Sequence, residues 1–139
     1  MTPDGYMEKA DWARFKHFTP EEFDCRCGCG KARIKYALVE GLTLLRSIVK
    51  QPIIINSGYR CPERNREVGG VPDSQHIVGA AADIYVAALD PQQVAKFAEL
   101  VRVFERGGIG IYLPRLGKRA RAGWVHVDVR GKAVRWTDK

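Results

Sequence analysis

The sequence predicts a single domain, residues 1–139, that combines helices with short β-strands. A chain of 139 residues is long enough to bury one sizeable hydrophobic core. Apolar residues recur at three- and four-residue steps over 36–49, which is the period of a helix that packs on a core. Over 124–129 apolar and polar residues alternate, which is the period of a strand with one buried face.

The first half of the chain is predicted to contain an arm, a helix and a strand. Residues 1–22 form an irregular or helical arm whose aromatic side chains pack on the domain, and a short helix begins near its end at Pro20. The helix over 36–49 follows, and the β-branched run 53–55 is typical of a buried strand. Prolines, glycines and charged residues then predict a surface loop over 61–73, with one helical turn inside it.

The second half is predicted to consist of strands with one helix between them. Residues 81–86 form a strand, and a capping box at 90–93 starts a helix that continues to a pair of glycines. Residues 109–113 and 124–129 form two further strands, separated by a basic loop. After a turn, residues 134–136 pair back as a last edge strand.

The chain carries a net charge of +7, from 23 Lys and Arg against 16 Asp and Glu. Such a balance favours polyanionic partners, for example nucleic acid, anionic lipid or the acidic polymers of a bacterial envelope. The simpler alternative is that the net charge only keeps the protein soluble. No aromatic residue is interleaved with the basic cluster at 115–121, so no specific nucleic-acid binding is predicted.

Neither a membrane span nor a secretory signal is predicted. The sequence has no apolar run of about 18 residues, and residues 1–11 are polar and charged. We therefore expect synthesis in the cytoplasm without a signal peptide, and we expect a monomer.

Four cysteines leave three interpretations open. Cys25, Cys27 and Cys29 occupy alternate positions, and Cys61 is the fourth. They could bind a second metal ion, form one disulfide that joins Cys61 to one of the others, or remain as inert thiols. In a cytoplasmic chain we expect them to be reduced or to hold a structural metal.

Two histidines and one aspartate form a candidate zinc site. His76 and Asp83 are seven residues apart, with small residues between them that allow a close backbone approach. The alternation over 124–129 places His126 and Asp128 on the polar face of a strand. Two imidazoles and one carboxylate leave one coordination position of a zinc ion open, which is typical of a catalytic site.

Three motifs give the chain a resemblance to a known family. The pattern Ser-x-His-x-x-Gly-x-Ala-x-Asp over 74–83 resembles that of zinc D-Ala-D-Ala carboxypeptidases and related M15-type peptidoglycan peptidases. Ser-Gly-Tyr-Arg over 57–60 and Trp-Val-His-Val-Asp over 124–128 are similar to the same group, and the likeness covers about 23–136. It implies an α+β fold, with helices packed on one face of a small, mainly antiparallel sheet, as in the Hedgehog signalling domain.

The resemblance also implies an activity. It implies zinc-dependent hydrolysis of an amide bond in the peptide stems or cross-links of peptidoglycan, by a phage or prophage lysin that acts after release or is carried in a virion. A permanently charged arginine at the site would orient the substrate or stabilise the oxyanion. The resemblance assigns zinc ligation to His76, Asp83 and His126, and substrate-side positions to Arg60 and Ser74. Trp124 is expected to form a wall of the substrate site.

Several of these roles have simpler alternatives. Arg60 could instead be a surface residue that pairs with Glu63 or Glu67. Ser74 could merely cap a turn, and Trp124 could belong to the core.

The position of the general base departs from the family pattern. Many relatives carry Asp or Glu three residues before the last histidine ligand, where this chain has Gly123. Asp128, on the same strand face as His126, is expected to be the base, with Glu63 and Glu67 as rivals. Alternatively, Asp128 orients the imidazole of His126.

Two other functions remain open. The chain could be a non-catalytic, wall-binding or virion domain of the same fold that binds metal, or a basic nucleic-acid-binding protein with an incidental His and Asp cluster. Zinc content separates the last from the other two, and turnover of peptidoglycan separates the peptidase from the non-catalytic domain.

Overall fold

The computed structural model describes residues 1–30, 33–118 and 120–138. These residues form an α+β fold in which helices pack against a five-stranded sheet of order β1-β2-β4-β3-β5. Neighbouring strands are antiparallel except β3 and β5, which are parallel. The implied fold class, with a mainly antiparallel sheet, is therefore confirmed. The strands are β1 Ile54–Ser57, β2 Ala81–Tyr85, β3 Gly108–Tyr112, β4 Trp124–Asp128 and β5 Val134–Asp138.

The longest helix supplies one side of the core. Its apolar positions, spaced by three and four residues, are buried, as the periodicity predicts. Gly41 in this helix permits close packing, because a Cβ there would lie 2.7 Å from Cγ2 of Val103 and 2.9 Å from the ring of Phe104. The helices are α1 Tyr36–Val49, α2 Pro62–Glu67, α3 Pro91–Ala98 and α4 Arg102–Glu105, with two 3-10 helices at Lys9–Arg14 and Pro20–Phe23.

The prediction of one helix after the capping box is wrong. The capping box at Asp90 and Gln93 is present, but the helix divides into α3 and α4 because Val101 has an extended backbone, with φ −97° and ψ 115°. Val101 and Phe104 are buried on either side of this break. A continuous helix would show the same apolar spacing, and no glycine or proline marks the break, so the periodicity could not reveal it.

The last strand lies at the edge of the sheet, as predicted, but it does not pair back on the strand that precedes it. Residues 134–136 belong to β5, which does not pair back on β4 but lies parallel to β3 at the sheet edge. Both edges of β4 are already occupied, by β2 on one side and β3 on the other. The free outer edge of β3 is therefore where β5 can complete its hydrogen bonds.

The remaining predicted elements are confirmed with small shifts. The arm packs on the core through Phe15 and Phe18, which are buried, and the helical turn within the 61–73 loop is α2. The run 53–55 is not buried throughout, because β1 is an edge strand and Ile54 is 49% exposed. In the described part of the chain, no helix has the length and apolar character needed to cross a bilayer.

Candidate active site

Two neighbouring strands carry two of the three predicted zinc ligands. Asp83 in β2 lies directly opposite His126 in β4, in the antiparallel register that joins these strands. Directly opposed residues project their side chains from the same face of a sheet. The other face of β4 carries Val125 and Val127, which are fully buried in the core. The predicted alternation of this strand is therefore confirmed.

His76 reaches the same face from the turn that precedes β2. Its backbone N–H donates to Oγ of Ser74 at 3.2 Å, and its ring Nδ1 donates to the carbonyl oxygen of Gly58 at 2.7 Å. Because a carbonyl oxygen only accepts, Nδ1 carries the ring proton. The free nitrogen, Nε2, lies 3.3 Å from Oδ1 of Asp83.

A glycine brings this turn close to the rest of the chain. Gly79 has φ +71°, and its carbonyl oxygen accepts from the backbone N–H of Lys35 at 2.9 Å. A Cβ at this position would lie 1.7 Å from the carbonyl oxygen of Arg33. The expectation that the small residues permit a close backbone approach is confirmed at this residue.

His126 is oriented in the same manner as His76, but by a carboxylate. Its Nε2 lies 2.8 Å from Oδ2 of Asp128, and its Nδ1 lies 3.1 Å from Oδ1 of Asp83. Asp128 is hydrogen-bonded to several donors and is therefore an acceptor, so Nε2 of His126 carries the ring proton. Nδ1 of His126 and Nε2 of His76 thus direct their lone pairs at the same carboxylate oxygen.

This convergence of three acceptors fits a metal cation. One ligand atom from each of His76, Asp83 and His126 lies within 4.8 Å of the other two. With the ring protons placed on the outer nitrogens, the inner atoms repel one another unless a cation or an additional proton lies between them. Two imidazole nitrogens and one carboxylate oxygen are the donor set of catalytic zinc sites.

The contacts among these residues shift the pKa values of Asp83 and His126. Burial acts to raise the pKa of Asp83, but His126 and His76, whose inner nitrogens donate to this carboxylate when the rings are protonated and no metal is bound, outweigh burial and hold the pKa well below its usual range. Burial acts to lower the pKa of His126, and the hydrogen bonds to Asp128 and Asp83 outweigh it and raise that pKa. Asp83 is therefore anionic, as a metal ligand must be.

Asp128 is enclosed behind His126. It is fully buried, and Oδ1 accepts from the backbone N–H of Gly108 at 2.8 Å and from Nε of Arg130 at 2.9 Å. Oδ2 accepts from Nη2 of Arg130 at 2.6 Å in addition to Nε2 of His126. Burial acts to raise the pKa of Asp128, but the bonds to His126, Arg130 and Gly108 lower it far more. These contacts favour the orienting role over the role of base.

Arg60 lies beside the ligands and is held by the neighbouring loop. Its Nη2 lies 3.7 Å from Oδ2 of Asp83, and its Nη1 donates to Oδ1 of Asn65 at 3.0 Å. The buried Asn65 also donates to the carbonyl oxygen of Val71 at 2.8 Å. Burial lowers the pKa of Arg60, yet a guanidinium remains charged at neutral pH. The guanidinium is thus directed at the metal-ligand cluster.

The site lies in a cavity of about 760 Å³ that also includes the other predicted substrate-side residues. Trp124 lies on its wall and stacks on Tyr112, with ring centroids 4.7 Å apart and planes 7° apart. Ser74 is buried below, where its hydroxyl accepts from the backbone of His76. The structure therefore brings all the predicted site residues to one cavity, except that Asp128 lies behind its wall.

Two aromatic residues of the cavity were missed by the sequence reasoning. The ring of Trp136 lies 5.0 Å from that of His126, and its indole N–H donates to the hydroxyl of Tyr112 at 3.1 Å. Gly110 makes room for this ring, because a Cβ there would lie 2.2 Å from Cε2 of Trp136. A glycine inside a strand is the signal that could have indicated such a close approach.

Two of the described residues that line the cavity carry a carboxylate, Asp83 and Asp73. Asp73 is exposed. Glu63 and Glu67, the rivals expected from the loop, are not part of the lining.

Comparison with models of known protein families gives a match. The model of the family described as Peptidase M15 matches residues 16–128, which is more than half of the chain and includes all three candidate zinc ligands. A search of curated proteins gives no match.

Proposed function

Because the chain belongs to the Peptidase M15 family, we propose that it is a zinc peptidase that hydrolyses an amide bond in the peptide stems or cross-links of peptidoglycan. The observation that carries the proposal is the convergence of His76, Asp83 and His126 at the cavity, with the free nitrogen of each ring directed at Asp83. The net charge of +7 suits an acidic wall polymer. We also propose the role of a phage or prophage lysin, on the resemblance of the three motifs alone.

The three ligands would hold one zinc ion at the cavity. A zinc ion held there would increase the acidity of a water molecule and polarise the scissile carbonyl. Gly58 and Asp128 hold the two rings so that their ligand nitrogens already point inward. This preorganisation means that little rearrangement accompanies metal binding.

Arg60 would bind the negatively charged part of the substrate. Peptidoglycan stems carry carboxylates, and a guanidinium can bind a carboxylate with two parallel hydrogen bonds. Nη1 of Arg60 donates a hydrogen bond to Asn65, and this bond fixes the direction of the remaining donors of the guanidinium. From this position, the same donors can stabilise the oxyanion that develops on the carbonyl. Tyr112, Trp124 and Trp136 would provide the walls against which a peptide stem packs.

Asp73 is the residue that we assign to proton transfer. Gly123 offers no carboxylate, and Asp128 is occupied by donors on both oxygens. Asp73 is exposed at the cavity, so it can accept a proton from water and return it to solvent.

Mass spectrometry of the peptidoglycan fragments tests the proposal. Purified peptidoglycan is incubated with the zinc-loaded protein, and the soluble fragments are compared with those of an untreated sample. The proposal expects new fragments that differ by one water molecule at a peptide bond. Stoichiometric zinc without any such fragment would show a metal-binding, non-catalytic domain instead.

A further inference from the structure

We propose that the four cysteines form a second zinc site, separate from the candidate active site and structural in role. Cys25, Cys27 and Cys29 lie in the segment that follows the 3-10 helix Pro20–Phe23, and Cys61 lies at the start of α2. The four sulfur atoms lie within 4.8 Å of one another, although Cys61 is more than 30 residues away in sequence. The fold therefore gathers all the cysteines of the chain at one point.

The spacing of the sulfur atoms suits one tetrahedral ion. Sγ of Cys27 lies 3.4 Å from Sγ of Cys25 and 3.6 Å from Sγ of Cys61. With zinc–sulfur bonds of about 2.3 Å, the sulfur atoms of a tetrahedral site are about 3.8 Å apart. A disulfide would join only two sulfur atoms, and all four cysteines are free. A single central ion explains why four of them converge.

Backbone amides support the sulfur atoms from outside the cluster. The N–H of Cys61 donates to Sγ of Cys25 at 3.3 Å, and the N–H of Arg64 donates to Sγ of Cys61 at 3.4 Å. Such outer hydrogen bonds orient metal ligands and stabilise their charge. Two of the four ligands, Cys25 and Cys61, are also buried, so the donors are held in place by the fold.

The four thiolate ligands determine which metal ion is expected at this site and whether that ion is structural or catalytic. Four thiolates favour zinc or an iron–sulfur cluster over calcium or magnesium, and one tetrahedral ion fills the space between them. Four protein ligands leave no open coordination position, so this ion would not take part in hydrolysis. It would instead join the N-terminal segment to α2.

This link lies directly behind the active-site segment. The N–H of Tyr59 donates to the carbonyl oxygen of Phe23 at 2.9 Å, and the N–H of Arg60 donates to the carbonyl oxygen of His76 at 3.1 Å. Cys61 is the next residue along the chain. A metal ion on Cys61 would thus fix the segment that carries Arg60 and contacts a zinc ligand of the first site.

Metal content in matched variants tests the proposal. Wild type, His76→Ala and the double variant Cys27→Ser/Cys29→Ser are loaded with zinc under reducing conditions, freed of excess metal and analysed. We expect two zinc ions per chain in wild type and one in each variant. The two substituted cysteines are exposed, so their hydroxyl replacements fit the surface. Two zinc ions retained in the double variant, or a single zinc ion in wild type that is lost from His76→Ala, would overturn the proposal.

Cobalt substitution identifies which site is filled and does not depend on the cysteine variant being folded. Cobalt-loaded His76→Ala should retain intense thiolate-to-cobalt charge-transfer bands, because its remaining ion has four sulfur ligands. In the zinc-loaded wild type, all four thiols should resist a thiol reagent until a chelator is added. Immediate reaction of four thiols, a disulfide, or iron with inorganic sulfide would each overturn the proposal. Peptidoglycan turnover is not measured here, so failure of the peptidase proposal leaves this result interpretable.

Discussion

Asp128 lies 2.8 Å from Nε2 of His126, and this contact leaves Nδ1 of the same ring facing Asp83. The carboxylate is completely buried and also binds Arg130 and the backbone of Gly108. Asp128 was first expected to act as a base, but these contacts favour a role in positioning His126, the candidate zinc ligand.

Asp128→Asn should weaken zinc binding about 10- to 100-fold, the usual effect of changing the partner of a metal-bound histidine. The amide cannot accept from all the donors that the carboxylate satisfies, so the ring of His126 is less firmly oriented. Competition with a chromogenic zinc chelator measures the affinity. Saturating zinc should restore most of the turnover. Unchanged zinc affinity together with a large loss of turnover at saturating zinc would return the role of base to Asp128.

Asp73→Asn should lower turnover by about 10²- to 10⁴-fold, the typical contribution of a general base. Zinc content should not change, because Asp73 is not among the candidate ligands. Release of peptide fragments from peptidoglycan, measured as initial rates, checks the prediction. Glu67→Gln in the same loop is the matched control, since Glu67 pairs with Arg64 and does not line the cavity. Equal losses in both variants would argue against a specific role for Asp73.

Arg60→Lys should reduce kcat/KM by about 10- to 100-fold, because a hydrogen bond to a charged group contributes about 1.5–3 kcal/mol. Lysine keeps the charge but lacks the planar fork that binds both Asn65 and a carboxylate. Steady-state kinetics with a purified stem peptide measure the effect. Arg66→Lys, on the exposed side of α2, should behave as wild type. A wild-type kcat/KM in Arg60→Lys would contradict a direct contact with the substrate.

Gly79→Ala should destabilise the protein by more than about 1 kcal/mol, since alanine is strained at positive φ and its Cβ would overlap the carbonyl oxygen of Arg33. Zinc affinity should fall too, because this turn carries His76. Gly131→Ala is the control, with a similar φ of +81° and open space around the Cβ. Urea unfolding of both variants separates backbone strain from the steric contact. Equal destabilisation would show that φ alone matters.

The sequence predicted which residues meet at the candidate site better than it predicted their surroundings. His126 and Asp128 share a strand face because side chains alternate along any strand, so their relation follows from local geometry. The contact of Trp136 with His126 depends instead on β5 joining the free edge of β3. The strand edge that is left unpaired depends on how the whole sheet is assembled. A local sequence pattern therefore could not predict it.

The surroundings of Asp128 likewise depend on tertiary structure, whereas its strand face follows from local geometry. Its spacing from His126 indicated that both residues project to one side, which the structure confirms. The spacing could not indicate that Arg130 and Gly108 would occupy the carboxylate from behind. The cysteines show the same limit, because Cys61 joins the other three only through tertiary folding.

The most direct test of the account compares zinc content with peptidoglycan cleavage in three proteins. Wild type, His76→Ala and His17→Ala are loaded with zinc and incubated with purified peptidoglycan, and the fragments are identified by mass spectrometry. His17 is the remaining histidine and is exposed outside the cavity, so its variant is the matched control. We predict cleavage at a peptide bond by wild type and His17→Ala, and loss of both cleavage and one zinc ion in His76→Ala. Undiminished cleavage and zinc content in His76→Ala would contradict the account.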